Sequence, residues 1–431
     1  MLLLPLIAAT YFMVSGGPYG LEDILGKAGY GRALGMLLVV PLLWSLPTSL
    51  MVGELASALP QEGGYYSWVR RAMGPFWGFQ EAWLSLAASV FDMAIYPTIF
   101  VLYLSRLEPS WTVGHRGMLW ALGVVALCTL WNLCGAANVG EGSVALFCLL
   151  LTPFVVLIGL GLWRALVLHV PHAALGLPAT GADLAGAVSV TLWNYMGWDN
   201  ASTVAQEVEE PQRNYPRAML TSAALVAITY MLPLAAVALA GIAADRFSTG
   251  AWTDAAATLG GPMLALAVVL GGTINGLGMF NALMLSYTRL PYAMAQEGLL
   301  PAALARRNAV GVPWLSVLVC AVAWALALNL SFERLISIDL VLYGASLLLE
   351  FVALAVLRLR EPELARPFRV PGPFAVAALL GAGPALLIGF AMWAARAERV
   401  GPMPALLFAA LVAVAGPPVY AAARLARRCS A

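Results

Sequence analysis

Eight carboxylates lie inside or beside long apolar runs of this chain: Glu22, Asp23, Glu54, Glu81, Asp92, Asp199, Asp339 and Glu350. An ionised carboxylate at the middle of a bilayer costs about 2.5–3.5 kcal/mol on insertion scales, so residues of this kind face a cavity or a partner. Basic residues are nearly absent from the same depths of the sequence. Two chemistries follow. Carboxylates can hold an ammonium group, or one can take up a proton where burial favours its neutral form. Asp92 and Asp199 are the candidates for a cation, Glu22 is the first candidate for a proton, and Asp23 and Glu54 are further proton candidates. Blander roles stand beside these: helix-end solvation for Glu81, a tie to the following loop for Glu54, a place near the membrane surface for Glu350, and a partnered helix-end amide for Asp339.

The backbone supplies a second set of candidates. The first apolar run is interrupted by Ser15-Gly16-Gly17-Pro18-Tyr19-Gly20, three glycines and a proline in six residues, which make a poor helix. The sixth run carries Asn194-Tyr195-Met196-Gly197-Trp198-Asp199-Asn200 between apolar flanks. Freed backbone groups at membrane depth are tolerated only where they face protein or a cavity. The two interruptions sit about 180 residues apart, each opening a possible five-helix half. That is the pattern of an inverted-repeat carrier whose site forms at two discontinuous helices. Ser15, Gly16, Gly17, Gly20 and Asn194 are the expected contacts of the breaks, and Tyr19, Tyr195 and Trp198 the expected aromatic walls, with cation–π contact to an amine. The repeat is inferred from position alone, and ordinary kinks in a structural bundle remain the alternative.

These candidates require a helical membrane bundle to position them. The chain of 431 residues is 61% hydrophobic and 10% charged, against about a quarter charged in soluble domains. Runs near 2–25, 33–58, 76–104, 117–136, 143–164, 183–203, 218–241, 261–288, 313–331, 335–357, 373–395 and 402–423 each approach the ~20 residues that a span needs. They do not alternate and are too long for barrel strands. Twelve spans with both termini cytoplasmic put fourteen Arg and Lys inside and nine outside, a moderate positive-inside bias. The first run has no basic flank and reads as a transmembrane helix rather than a cleaved signal peptide, with the chain beginning almost inside it. The expected organisation is a ten-helix core over 1–357, with repeats at about 1–164 and 183–357. Two further helices over 373–423 and a cytoplasmic tail over 424–431 complete it.

Several classes are excluded. Gly16-Gly17 and Gly271-Gly272 lack the lysine of a phosphate loop. No arginine ladder or filter-like repeat argues for a channel. No Ser/His/Asp set argues for an enzyme, no Cys/His cluster for a metal, and the net charge of +1 gives no reason to expect nucleic acid. His115, His169 and His172 fall in expected external loops. Four of the five cysteines read as small buried hydrophobes, with no disulfide framework. No cofactor is expected.

Four stretches resemble the amino acid–polyamine–organocation transporter superfamily, above all its bacterial amino acid permeases and plant-type polyamine:proton symporters. They are Val14–Asp23; Glu54 through Leu59–Val69 to Gly74–Gln80; Trp193–Asp199 followed by Glu207–Arg217; and Ser286–Ala295 leading to Gly298–Pro301. The resemblance implies a LeuT-like fold of 5+5 inverted repeats with helices 1 and 6 discontinuous. It also implies a substrate carboxylate at Ser15–Gly20, the other end of the substrate at Asn194–Asp199, and an acidic position of the polyamine carriers at Asp92. Some related amino acid carriers have a lysine in span 5. The span from Val144 to Trp163 has none, which favours a carboxylate for coupling.

The expectation is therefore a multi-pass cell-membrane carrier, placed in a bacterial inner membrane, that moves an amine-bearing solute by alternating access with protons. Sodium remains open as the coupling ion. A polyamine stands first and an amino acid second; a non-transporting sensor or structural subunit of the same bundle is the reading from another class. The sequence is silent on exchange versus symport, oligomeric state and any accessory subunit.

Overall fold

Long apolar stretches with few caps and many internal prolines give long helices here, because a membrane enforces internal backbone hydrogen bonding even where propensity is poor. The structure, a computed structural model, describes residues 1–174, 183–328, 332–400 and 402–430. The end of the expected run 313–331, at 329–331, and the last residue of the expected tail lie outside the described residues.

The first run forms α1 (Leu3–Val14), an irregular turn, and α2 (Glu22–Ala28). The second is α3 (Tyr30–Leu43) and α4 (Ser45–Ala58), kinked at Trp44 just after the internal Pro41. A short surface helix, α5 (Tyr65–Met73), precedes the 33-residue α6 (Pro75–Leu107). Then come α7 (His115–Asn132) and α8 (Ala136–Leu166). The sixth run forms α9 (Leu184–Asn194), which stops at Tyr195 and passes through turns into a 3-10 segment, Asn200–Glu207. Next are α10 (Pro211–Leu239), α11 (Trp252–Tyr287) and the short α12 (Arg289–Gln296). After these follow α13 (Trp314–Ala327), α14 (Phe332–Arg360), α15 (Phe374–Leu379), α16 (Ala382–Ala394) and α17 (Ala405–Ser430). Arg399–Val400 and Met403–Pro404 make a minimal hairpin, β1 and β2, before α17.

Eight helical stretches among the described residues are long and apolar enough to cross a membrane, and α1, α9 and α13 are shorter apolar helices. Large apolar side chains such as Leu130, Val155, Leu326, Leu386 and Val414 point outward, as a lipid-facing surface requires. The chain is an all-α integral membrane protein.

Helix α6 lies at the centre, packed against α11, α14 and α5, while α16 and α17 pack on α14 and α17 also touches α6. The two interrupted segments run antiparallel. At one end Asp183 N–H donates to Lys27 O (3.0 Å); at the other Glu209 N–H donates to Met1 O (3.0 Å). Their irregular middles meet in the protein interior.

Candidate functional site

The interruption after α1 is shaped by close approach. A Cβ on Gly16 would lie 1.8 Å from Asn275 Oδ1 of α11. The second interruption shows the same constraint: Gly197 has φ +92°, and a Cβ there would lie 2.2 Å from Met13 O. Only glycine fits both the left-handed backbone and the contact. The Gly197 N–H donates to Tyr343 Oη of α14 (2.9 Å), and Asn194 Nδ2 donates to Gly20 O (3.5 Å).

At this junction lies a small cavity of about 10 Å³, lined by Met13, Val14, Asp92, Tyr96, Trp193, Met196, Gly197, Asn200, Tyr287, Asp339 and Tyr343. That volume suits about one water, so an organic solute requires the surrounding helices to separate. Asp92 is buried and accepts hydrogen bonds from Tyr96 Oη (2.6 Å) and Tyr287 Oη (3.4 Å). Tyr96 stacks on Trp193 at 6.3 Å between ring centroids. Asp339 faces the same cavity, fully buried, with neither carboxylate oxygen hydrogen-bonded to any group among the described residues. Two acids and four aromatic rings therefore converge on one small space. Such a space can hold an ammonium group through charge and ring faces.

Further along α6 and α14, toward the Glu207 end, lies a second acidic group. Asp199 accepts from Tyr343 Oη, and Glu350 faces Asp199 across the interface. Glu81, on α6, accepts from Ser85 Oγ (2.8 Å) through one oxygen, while its other oxygen has no partner among the described residues. All three carboxylates are buried.

The other residues singled out from sequence fall in several places. Ser15 accepts from Gly17 N–H (3.0 Å) inside the first break. Tyr19 turns away from the cavity, donating to Val268 O (2.6 Å) and packing edge-on against Tyr103. Tyr195 also points away, donating to Leu37 O (2.9 Å). Trp198 is buried without lining the cavity, and its indole N–H has no partner. Glu22 is fully engaged by Tyr103 Oη, Gly20 N–H (2.6 Å) and Gly250 N–H (3.2 Å), which ties the break to the loop before α11. Asp23 accepts from Thr249 Oγ1 at 2.9 Å to one of its oxygens. Glu54 meets Arg358 (2.5 Å) and Arg366 (3.1 Å) and accepts from Val370 N–H (2.7 Å), so it locks α4 to the segment after α14.

Beyond those candidates the cavity uses Tyr96, Trp193, Tyr287 and Tyr343, and Asn275 stands against Gly16 with its amide unpaired. A signal was present. Glu81, Ser85, Asp92 and Tyr96 recur at helical spacing on one face of α6, and Asp339, Tyr343, Ser346 and Glu350 do so on α14.

Ion pairs stand at both ends of the interrupted segments. Arg289 is buried against Glu207 (2.8 Å), and Arg70–Glu297 and Arg307–Glu62 (both 2.6 Å) lie nearby. Lys27–Asp183 (3.0 Å) spans the opposite end. Glu62 sits in the loop before α5, where partial burial raises its carboxyl above the usual range against the opposing pull of Arg307.

Interrupted antiparallel segments around a buried acidic and aromatic cavity define a polytopic membrane protein with a polar centre. The amino acid permease family profile matches residues 7–415, so the chain belongs to that family. It is similar to the polyamine transporter PUT1 of Oryza sativa subsp. japonica, 36% identical over 86% of this chain and 69% of that protein. It is also similar to the polyamine transporter RMV1 of Arabidopsis thaliana, 31% identical over 90% of this chain and 79% of that one. The serine/threonine exchanger SteT of Bacillus subtilis is 23% identical over 85% of this chain and 83% of its own length.

Proposed function

We propose that this protein is a secondary transporter that carries a polyamine across a cell membrane together with protons. One observation carries the reading: Asp92 and Asp339 line the cavity at the two helix breaks, and no basic side chain among the described residues lines it with them. Buried carboxylates without a cationic partner are costly unless the partner arrives as the solute. Aromatic faces at Tyr96, Trp193, Tyr287 and Tyr343 suit an alkylammonium chain. The names of the plant relatives point the same way.

The finer architecture belongs to the same proposal. The eight long stretches, the three shorter apolar helices and α7 make twelve spans. Spans 1–5 and 6–10 are read as inverted repeats of a LeuT-like core over 1–357, with the α1–α2 and α9–Glu207 segments as discontinuous helices 1 and 6. The positive-inside bias favours both termini in the cytoplasm. Relatives come from plants and bacteria alike, so the localisation is kept at a cell membrane rather than a bacterial inner membrane.

An amino acid is the second reading, favoured by the glycine-rich break at Ser15–Gly20, whose backbone suits a carboxylate. Uptake of labelled putrescine or spermidine against an amino acid panel, by purified protein in liposomes with and without an inward proton gradient, separates the two. Saturable gradient-driven polyamine uptake supports the proposal. Amino acid uptake without polyamine uptake refutes it.

A further inference from the structure

Three buried carboxylates on the Glu207 side of the cavity have no role in the site described so far. Glu81 and Asp92 are eleven residues apart on α6, as are Asp339 and Glu350 on α14. At helical rise each interval is about 16 Å. The acids thus form two layers, Asp92 with Asp339 and Glu81 with Glu350, and Asp199 between them contacts the second. A four-carbon diamine is shorter than that interval, so one seated on Asp92 does not reach Glu81 or Glu350, whereas Asp199 lies nearer, its donor Tyr343 lining the cavity.

The chemistry of the second layer is unusual in one respect. Glu350 faces Asp199 within hydrogen-bonding reach, yet neither carboxylate oxygen of Glu350 receives a donor from any described group. Two carboxylates can bond to each other only with a proton between them. One oxygen of Glu81 is likewise without a donor. The facing groups are all neutral: Tyr65 of α5, whose hydroxyl is unpaired, Ser85 of α6 and Tyr343 of α14. The basic group nearest in sequence, Arg358, is two turns beyond Glu350 and is taken by Glu54. Nothing among these residues compensates three negative charges, and like charges at such range do not ionise together.

We propose that Glu81, Asp199 and Glu350 form the proton-holding site of this carrier, separate from the cavity that takes the amine, and that it must be protonated for the helices to close over the solute. This rests on the proton-coupled reading above. The proton enters from water when the site is open, sits between Asp199 and Glu350, and leaves to water on the other side. No covalent bond changes.

The test uses the full chain in liposomes with two measurements: uptake with and without an inward proton gradient, and exchange of labelled for unlabelled putrescine at equal pH on both sides. E350Q is a neutral, near-isosteric stand-in for the protonated acid. It is expected to keep exchange but lose stimulation by the gradient, and E81Q is expected to weaken that stimulation. Infrared difference spectra of wild type between acid and alkaline pH should show protonated-carboxyl C=O intensity that is reduced in E350Q. Stimulation of both variants like wild type would overturn the proposal, as would loss of exchange by folded E350Q, which would make the layer a second ammonium subsite. If wild type exchanges putrescine but ignores the gradient, the coupling reading itself fails. If E350Q does not fold, the gradient response of E81Q and its infrared band decide.

Discussion

Replacing Asp92 by asparagine removes one negative charge from the cavity while preserving side-chain shape. Oδ1 can still accept from Tyr96 Oη, so the local hydrogen bond at 2.6 Å survives in kind. What is lost is the charge-assisted contact to an incoming ammonium, about 1.5–3 kcal/mol for a hydrogen bond to a charged group. At about 1.4 kcal/mol per tenfold, that is roughly a tenfold to 150-fold weaker interaction. Asp339 lines the same cavity and remains as a second carboxyl group for the ammonium, so the lower part of that range, about 10- to 30-fold, is expected. The assay is the concentration dependence of putrescine uptake in liposomes by D92N, with thermal melting as a folding control. KM should rise by that factor, while uptake at saturating putrescine changes much less, because the contact serves binding. A D92N protein that melts like wild type and keeps its KM within about twofold would refute the assignment of Asp92 to the amine.

Three further outcomes are expected. G197A places a Cβ 2.2 Å from Met13 O at φ +92°, so it should lower stability by more than about 1 kcal/mol and abolish uptake, whereas G35A, with no atom within 4 Å, should behave like wild type; melting followed by size-exclusion chromatography checks both. R358A leaves Glu54 buried with only Arg366 and a backbone N–H, and should cost about 3 kcal/mol, the lower end for a broken buried pair, read as a large fall in melting temperature. On the surface, the Arg71 guanidinium hydrogen-bonds Glu361 and holds its carboxyl below the usual range. A depressed folded-state value contributes stability above the ordinary carboxylate range that disappears as pH falls through the folded-state value. R71A should therefore cost under about 1 kcal/mol at neutral pH, and its melting difference from wild type should vanish in acid.

Much of this arrangement was legible before any fold was known. Gly16, Gly17, Pro18 and Gly20 announce a break because no helix tolerates that density of glycine and proline, and the structure ends α1 at Val14. Asp92 announces itself by its charge in an apolar run. Sequence reasoning weighed carboxylates one at a time, however, and so kept Glu22 and Glu54 as proton candidates beside Asp92 as a cation candidate, with a tie to the following loop as the blander role of Glu54. Partners separate them: Glu22 is saturated by Tyr103 and two backbone amides, and Glu54 by two arginines more than 300 residues away in sequence. No local pattern encodes such distant pairings. Tyr19 and Tyr195 adjoin the breaks in sequence, yet both rings rotate away from the cavity, because a residue beside a turn can point to either side of it.

The sequence by itself determined that the chain is a helical membrane protein, because apolar runs near the thickness of a bilayer admit no other backbone solution. It also determined where two of those helices must break, and that the charge in the middle of the apolar runs is mostly acidic. Helical spacing on α6 and α14 even marks which side of each carries the polar groups. Only the tertiary structure decided that those two faces meet, which puts Asp339 with Asp92, and that the break after α9 brings Asp199 to Glu350. The physical reason is that periodicity fixes the direction of a side chain relative to its own helix, while its partner is fixed by which helices pack together.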